Sequence, residues 1–256
     1  MRCVPITRVE QQDLQALHRV WERRIKARTT LVHELRGLLS EYGMILPPRL
    51  ATCRALLADQ RHEEPATLTT LSAEVVWHLY AELLALEKRL ADDDEQRAAI
   101  GQGHPECQRL QTLPGIGPVT ATALIAAIGE ATPFTNGRQL AAWLGLVPRE
   151  HSTGGQPRLL GMSTRGDRYR RQLLVHGARA ALRWVDTTSA DRSRWLSALI
   201  VRRGTNRAAV AWAKKNARMV WALLAHHEAY RLSPVVAAGC AEAVLQDTSR
   251  PCWGTT

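Results

Sequence analysis

A long run of apolar residues at helical spacing, near the start of the chain, limits the folds available to it. Large apolar side chains recur at steps of three and four residues, the spacing of one helix face; they are Leu14, Leu17, Trp21, Ile25, Val32, Leu35, Leu39 and Tyr42. Gly43 and the Pro47-Pro48 pair are typical of a helix end. The sequence therefore predicts one amphipathic helix over residues 9–42. Residues 2–7 are predicted to form a short strand, with no partner strand nearby.

A second helix is predicted over residues 68–97. Its apolar residues alternate steps of three and four, as in a short heptad seam; they are Val76, Leu79, Leu83, Leu86 and Leu90. Such a seam suits an antiparallel or intermolecular coiled coil, and the alternative is a helix packed against its own domain. We predict a coiled-coil linker over residues 49–104 and oligomerisation through residues 76–90.

The rest of the chain is predicted to be mostly helical. After a linker rich in Gly and Pro, the sequence predicts a hairpin-like segment over residues 111–129 and a polar glycine-rich loop over 149–161. Three helices follow, over residues 167–185, 190–202 and 206–230. Residues 232–256 are predicted to form a loose tail. The predicted fold class is therefore mainly α. It comprises a long helix and a coiled-coil linker, followed by a helical domain over residues 105–231 that contains a helix-hairpin-helix.

The positive charge of the chain is concentrated in one block. The formal net charge is +10, and residues 112–231 alone contain 18 Lys or Arg against six Asp or Glu. A concentrated positive field favours a polyanionic partner, with nucleic acid as the first candidate. The alternative is a genome rich in arginine codons, because only four of the 34 basic residues are lysine.

Other features of the sequence indicate the reducing cytoplasm. The chain has no run of about 18 apolar residues, so no transmembrane helix is predicted, and its first residues do not resemble a secretory signal. The five cysteines form no Cys-x-x-Cys pair, which argues against a zinc knuckle or a disulfide framework. We expect a cytoplasmic protein without membrane contact.

The segment LPGIGPVTA, residues 113–121, has the signature of a helix-hairpin-helix. Gly115 and Gly117 allow a sharp turn and a close approach of the backbone to a phosphate. The helix that follows offers unpaired N–H groups and the positive end of its dipole, and Pro118 suits its first turn. This pattern predicts sequence-independent binding of a DNA or RNA backbone; the alternative is a helix–helix turn without a ligand.

Two hydroxyl residues stand before two glycines in the segment GLVPREHSTGG, residues 145–155. A hydroxyl of Ser152 or Thr153 in a flexible basic loop is able to attack a phosphodiester, with arginines stabilising the added negative charge. Arg149 and Arg158 flank these residues and are predicted to contact DNA. The alternative is a solvated turn, for which Ser, Thr and Gly are common residues.

A further arginine-rich segment covers residues 162–171. Arg165, Arg168 and Arg171 are predicted to contact phosphate on or just before a helix, and Asp167 is placed to cap that helix. Two other predictions concern packing. His176 is interpreted as a core histidine, and the tryptophans 212 and 221 as core residues, with base stacking as their alternative role.

These motifs, in this order, resemble the C-terminal domain of a large family of bacterial insertion-sequence transposases, which also includes the Piv-type site-specific DNA invertases. The resemblance covers residues 105–231, including the closing segment NRAAVAWAKKNARMVWALLAHHEAYR. Residues 9–47 also resemble the family, at the exit from its first domain.

The resemblance implies a two-part recombinase. A complete member begins with a nuclease-like α/β domain whose four acidic residues, a DEDD set, hold Mg²⁺. A C-terminal domain, joined through a coiled coil, supplies a serine nucleophile. Metal and serine would cut and rejoin strands through a covalent protein–DNA link. Some members are guided by a structured RNA, so DNA and a guide RNA are the expected partners.

The resemblance also implies that part of this pattern is missing. Met1 falls after the point where the acidic set of the family lies, and Asp13, Glu22 and Glu34 match none of its positions. We therefore expect residues 1–48 to be the remnant of the first domain. No metal site or cofactor is expected in this chain, and no recombination by it alone.

The resemblance places the nucleophile one residue before the first glycine. That position is Thr153 in this chain, with Ser152 one residue earlier. Many relatives carry two serines here. A threonine hydroxyl is a nucleophile too, although its β-branch stiffens χ1. Ser152 and Thr153 are therefore joint candidates.

The sequence-based expectation is a truncated insertion-sequence transposase that binds DNA and associates with the bacterial nucleoid. It would form a homo-oligomer, or a hetero-oligomer with full-length transposase. Three alternatives stay open: a non-catalytic regulator of full-length transposase, a structural helix-hairpin-helix protein of DNA repair, and an RNA-binding module.

Overall fold

The computed structural model describes residues 7–60, 68–183, 191–227 and 230. These residues are mainly helical, which confirms the predicted fold class, and they form two compact units. The N-terminal unit consists of residues 16–60 and 68–96. The C-terminal unit consists of residues 7–15 and the described residues from 97 onward. Nearly all of the predicted strand at 2–7, and the predicted tail at 232–256, lie outside the described residues.

Three helices contribute to the N-terminal unit: α1 (Val9–Glu41), α2 (Leu50–Gln60) and α3 (Thr70–Gly103). The first turns of α1 and the last turns of α3 belong to the C-terminal unit. Apolar residues of all three helices and of the α1–α2 connection form one core; they are Leu31, Val32, Leu35, Leu39, Leu46, Cys53, Leu57, Val76, Tyr80 and Leu83. The predicted first helix is confirmed to within one residue, and the second extends six residues beyond its predicted end.

The apolar seam of α3 packs within the chain. Val76 and Leu83 belong to the core of the N-terminal unit, Leu79 packs against it, and Leu90 is also buried. These contacts match the alternative of a helix packed on its own domain. Oligomerisation through residues 76–90 stays a prediction, and no free apolar seam supports it.

Six helices and a β-hairpin make up the described part of the C-terminal unit from residue 105 onward. They are α4 (Pro105–Gln111), α5 (Pro118–Ile128), α6 (Gly137–Trp143), β1 (Pro148–Glu150), β2 (Leu159–Met162), α7 (Arg168–Arg183), α8 (Asp191–Arg203) and α9 (Thr205–His226). Helix α9 contacts α4, α6, α7 and α8, so it is central to this unit. Among the described helices, none is long and apolar enough to cross a membrane.

The tryptophans of α9 serve the core of the C-terminal unit. Trp212 is buried, and Trp221 is half-buried with its indole N–H donating to the carbonyl of Phe134 at 3.0 Å. Burial of the ring with a satisfied N–H is the usual state of a core tryptophan. The prediction that both are core residues is therefore confirmed.

Candidate nucleic-acid interface

The turn between α4 and α5 holds the two glycines of the LPGIG motif. Gly115 has a φ of +88°, in the left-handed region that favours glycine. A Cβ at this position would lie 2.6 Å from the carbonyl oxygen of Gly177 in α7, and a Cβ on Gly177 would overlap the carbonyl oxygen of Gly115. The two glycines therefore let the turn and α7 touch backbone to backbone.

Two side chains of α9 hold the same turn from another side. The indole N–H of Trp212 and the amide of Asn216 both donate to the carbonyl of Pro114, at 3.2 and 3.0 Å. Asn216 is fully buried. The missing side chain of Gly115 thus makes room for α7, and a phosphate contact at this residue stays a prediction.

The start of α5 is open. Gly117 is the N-cap residue, no side chain caps the helix, and Pro118 occupies the first turn as predicted. Gly117 is exposed, with no heavy atom within 4 Å of where a Cβ would stand. The first N–H groups of a helix lack intrahelical partners and carry the positive end of its dipole. Gly117 therefore stays a predicted phosphate contact with accessible geometry.

Residues 148–162 form an antiparallel hairpin where the sequence predicts a polar loop. Pro148 pairs with Met162 and Glu150 with Leu159, while Thr153 forms an isolated bridge with Gln156 near the tip. The strands have three and four residues, too few for a period-two pattern to show in the sequence. The prediction of a loop is therefore wrong over these two strands.

Both candidate nucleophiles lie at the exposed tip of this hairpin. The hydroxyl of Ser152 donates to Oε1 of Glu150 at 2.6 Å and accepts from the backbone N–H of Arg158 at 3.2 Å. A carboxylate that accepts a hydroxyl hydrogen bond is placed to take the proton when that oxygen attacks. This contact distinguishes Ser152 from Thr153, which joins the tip bridge through its backbone.

Arg171 anchors the hairpin to α7. Its side chain is buried, and Nη1 donates to the carbonyls of Gly166 at 3.0 Å and Leu144 at 3.4 Å, one on each side of the hairpin. Gly145 has a φ of +72°, and a Cβ there would lie 2.7 Å from the backbone nitrogen of Gly166. The prediction that Arg171 contacts phosphate is therefore wrong, because its guanidinium is enclosed and bonded to backbone carbonyls.

We expect Arg171→Met to lower the free energy of unfolding by about 2–4 kcal/mol, because one buried and one partly buried carbonyl would be left without their charged donor. Arg168→Met is the matched control, since Arg168 is exposed on the first turn of the same helix. Its expected change is below about 0.5 kcal/mol. Urea unfolding followed by circular dichroism measures both, and equal effects would contradict the anchoring role.

The other four predicted arginines are available to a ligand. Arg149, Arg158, Arg165 and Arg168 are exposed, and none pairs its guanidinium with a carboxylate of the described residues. Neighbouring Arg170 behaves differently, because it bonds Asp167 at 3.2 Å. The backbone N–H of Arg170 also donates to Oδ1 of Asp167 at 2.8 Å, which confirms the predicted helix cap.

The described thiols are poor nucleophiles. Cys53 and Cys107 are buried and free. Burial raises the pKa of the Cys107 thiol to about 12, with the charge of Glu106 adding to the effect, and burial also raises the pKa of Cys53. Since the thiolate is the reactive form, neither competes with the exposed hydroxyls of the hairpin.

Sequence reasoning missed three residues, Glu150, Gly177 and Asn216, and misplaced two, Arg171 and His176. Glu150 lies two positions before Ser152, a spacing that puts two side chains on one strand face. A glycine in the middle of a predicted helix, as at Gly177, indicates a close approach of another backbone. A polar residue among apolar neighbours, as at Asn216, indicates a buried hydrogen bond. His176 is exposed, so its interpretation as a core residue is wrong.

The region that contains the α4–α5 turn, the hairpin and α7 is similar to known proteins. Residues 107–194 match the Transposase IS116/IS110/IS902 family. The chain is 49% identical over 232 residues to a probable family 20 transposase of Pseudomonas aeruginosa, covering 90% of this chain and 69% of that protein. It is 45% identical over 231 residues to the transposase for insertion sequence element IS1111A of Coxiella burnetii, covering 90% of this chain and 64% of that protein.

A third relative is the transposase for insertion sequence element IS1328 of Yersinia enterocolitica, 33% identical over 219 residues, with 83% of this chain and 63% of that protein covered. The chain therefore spans about two thirds of the length of these relatives. The family match includes the α4–α5 turn, the hairpin and α7. From the turn, the hairpin and these relatives together, we conclude that the chain belongs to the IS116/IS110/IS902 family of insertion-sequence transposases.

Proposed function

We propose that the C-terminal unit grips the sugar–phosphate backbone of DNA during transposition and presents a hairpin hydroxyl to it. One observation carries this proposal: the two hydroxyl residues stand at an exposed tip, close in sequence to four exposed arginines without carboxylate partners among the described residues. Arginine is suited to phosphate because its planar guanidinium donates two parallel hydrogen bonds. The open start of α5 at Gly117 supplies a further anion contact.

In this proposal Ser152 attacks and Glu150 accepts its proton. A new bond forms between the serine oxygen and phosphorus, the bond from phosphorus to a deoxyribose oxygen breaks, and that oxygen takes a proton from water. The 2.6 Å hydrogen bond between Ser152 and Glu150 supports this assignment. Thr153 is the second candidate because it directly precedes the first glycine.

The resemblance implies Mg²⁺ held by acidic residues. Within the described residues, no group of three or more His, Cys, Asp and Glu side chains is arranged to hold a metal ion. The described residues therefore do not fit such a site, and no step is derived through the metal. What this chain's own residues supply is phosphate binding, orientation of the hydroxyl and a proton acceptor.

We expect the full chain to bind a short DNA duplex with an affinity that falls steeply with salt, because phosphate contacts release counterions. Arg165→Ala with Arg168→Ala should flatten the plot of log K against log salt by about 0.9 for each phosphate that is no longer neutralised. The matched control is Arg19→Ala with Arg23→Ala, which removes two exposed charges from α1 in the N-terminal unit. Fluorescence anisotropy measures both slopes.

Equal slopes for the two double variants would contradict the proposed interface. The same titration with a folded RNA tests the guide-RNA partner that the resemblance implies. A chain that binds the RNA and leaves the duplex free would favour the RNA-binding alternative instead.

A further inference from the structure

A second cationic surface lies between α6 and α9, at residues that the proposed function does not use. A groove of about 580 Å³ is lined by Arg138, Lys215, Arg218 and Trp221, among others, and none of the described residues that line it is acidic. Like charges gathered in one groove repel each other unless an anion lies between them. The lining therefore has the chemistry of an anion site.

Close packing of α6 against α9 brings Arg138 near Arg218, although the two residues are 80 positions apart in the sequence. Gly137 begins α6 directly against α9: a Cβ at this position would lie 2.9 Å from both the Cα and the carbonyl oxygen of Arg218. Arg138 is the next residue of α6, so its backbone also lies close to α9. Asn136 caps α6 by accepting from the N–H groups of residues 138 and 139, at 3.0 Å each. Because these N–H groups are occupied, the side chains must hold the anion.

The charges of the groove are not neutralised from α9 itself. This helix carries four Lys or Arg residues and no Asp or Glu. Arg138 and Arg218 are exposed, and neither forms an ion pair with a described residue. The ammonium of Lys215 lies 5.0 Å from the ring centre of Trp195 and 5.8 Å from that of Trp212, so the indoles hold it in place. Two exposed guanidinium groups, those of Arg138 and Arg218, thus line the groove without an ion pair among the described residues.

We propose that this groove binds a backbone phosphate of duplex DNA, as a second anchoring site beside the hairpin. The inference rests on the proposed function, in which DNA is the polyanionic partner of this unit. Helix α6 has seven residues and is therefore about 10 Å long. The groove lies at its start, and four residues separate its end from the hairpin.

The test uses the full chain with Arg138→Ala and Arg218→Ala, and again Arg19→Ala with Arg23→Ala as the matched control. We expect the groove variant to bind a short duplex about 10-fold or more weakly at low salt, because two guanidinium groups no longer bond the phosphate. Its salt slope should fall by about 0.9 for each phosphate left without its cation, while the control keeps the wild-type slope. Arg138→Lys with Arg218→Lys should restore most of the affinity, and circular dichroism verifies folding.

The outcomes separate this inference from the proposed function. If Arg165→Ala with Arg168→Ala weakens binding while the groove variant binds as wild type does, the groove site is overturned and the proposed interface stands. Absence of duplex binding by the wild-type chain overturns both. If the groove variant keeps its affinity for the duplex but binds an RNA hairpin more weakly, the assignment to DNA is overturned.

Discussion

Gly177→Ala should destabilise the C-terminal unit by about 3 kcal/mol, because an alanine Cβ would overlap the carbonyl oxygen of Gly115. The sign of this effect is informative. In an unconstrained helix interior, the same substitution stabilises by about 0.5–1 kcal/mol, since glycine loses more backbone entropy on folding. Here the backbone of α7 fixes the position of the added Cβ, and the oxygen that it meets belongs to a backbone carbonyl, so neither atom can turn away. Urea unfolding followed by circular dichroism measures the difference.

Gly37→Ala is the control for this prediction. Gly37 lies inside α1, and no heavy atom is within 4 Å of where its Cβ would stand. We expect this variant to be as stable as the wild type or slightly more so. If Gly177→Ala behaved in the same way, the backbone contact between the α4–α5 turn and α7 would not exist in solution.

Removal of both hairpin hydroxyls should have the largest effect on function. We expect Ser152→Ala with Thr153→Val to lower the yield of covalent protein–DNA adduct by at least about 1000-fold, as expected when a nucleophile is removed. Affinity for the duplex should change little, because both side chains are exposed and the arginines remain. The measurement is the amount of protein–DNA adduct that survives denaturing gel electrophoresis. The adduct is prepared from cells in which this gene is the sole source of transposase.

Single variants then divide the role between the two hydroxyls. Because Ser152 donates to Glu150, Ser152→Ala should reproduce most of the decrease and Thr153→Val little of it. Glu150→Gln keeps the size of the side chain and removes the proton acceptor, so it should also lower the yield. A double variant that keeps the adduct would show that the nucleophile is not a hydroxyl of this hairpin.

Much of the fold follows from local patterns. The spacing of apolar residues predicted α1 and most of α3, and the position of Asp167 predicted the start of α7, because periodicity and capping act within a few residues. Helix α2 and the short hairpin escaped prediction: α2 has little amphipathic contrast, and the strands are too short to alternate visibly. The apolar seam of α3 was also predicted from the sequence. The helix that packs against it was not, because an apolar face packs equally well against a helix of the same chain or of another chain.

The candidate site divides in a similar way. Ser152, Thr153 and the arginines were found because residue type and neighbourhood show them. The sequence by itself thus determined a helical, basic chain with a glycine turn and a hydroxyl-bearing segment. Only the tertiary structure decided that Arg171 is buried and Gly115 packs against α7, while Arg168 and Gly117 are exposed. The physical reason is that close packing joins α7 to turns 27 and 62 residues away, and such distant contacts leave no periodic trace in the sequence.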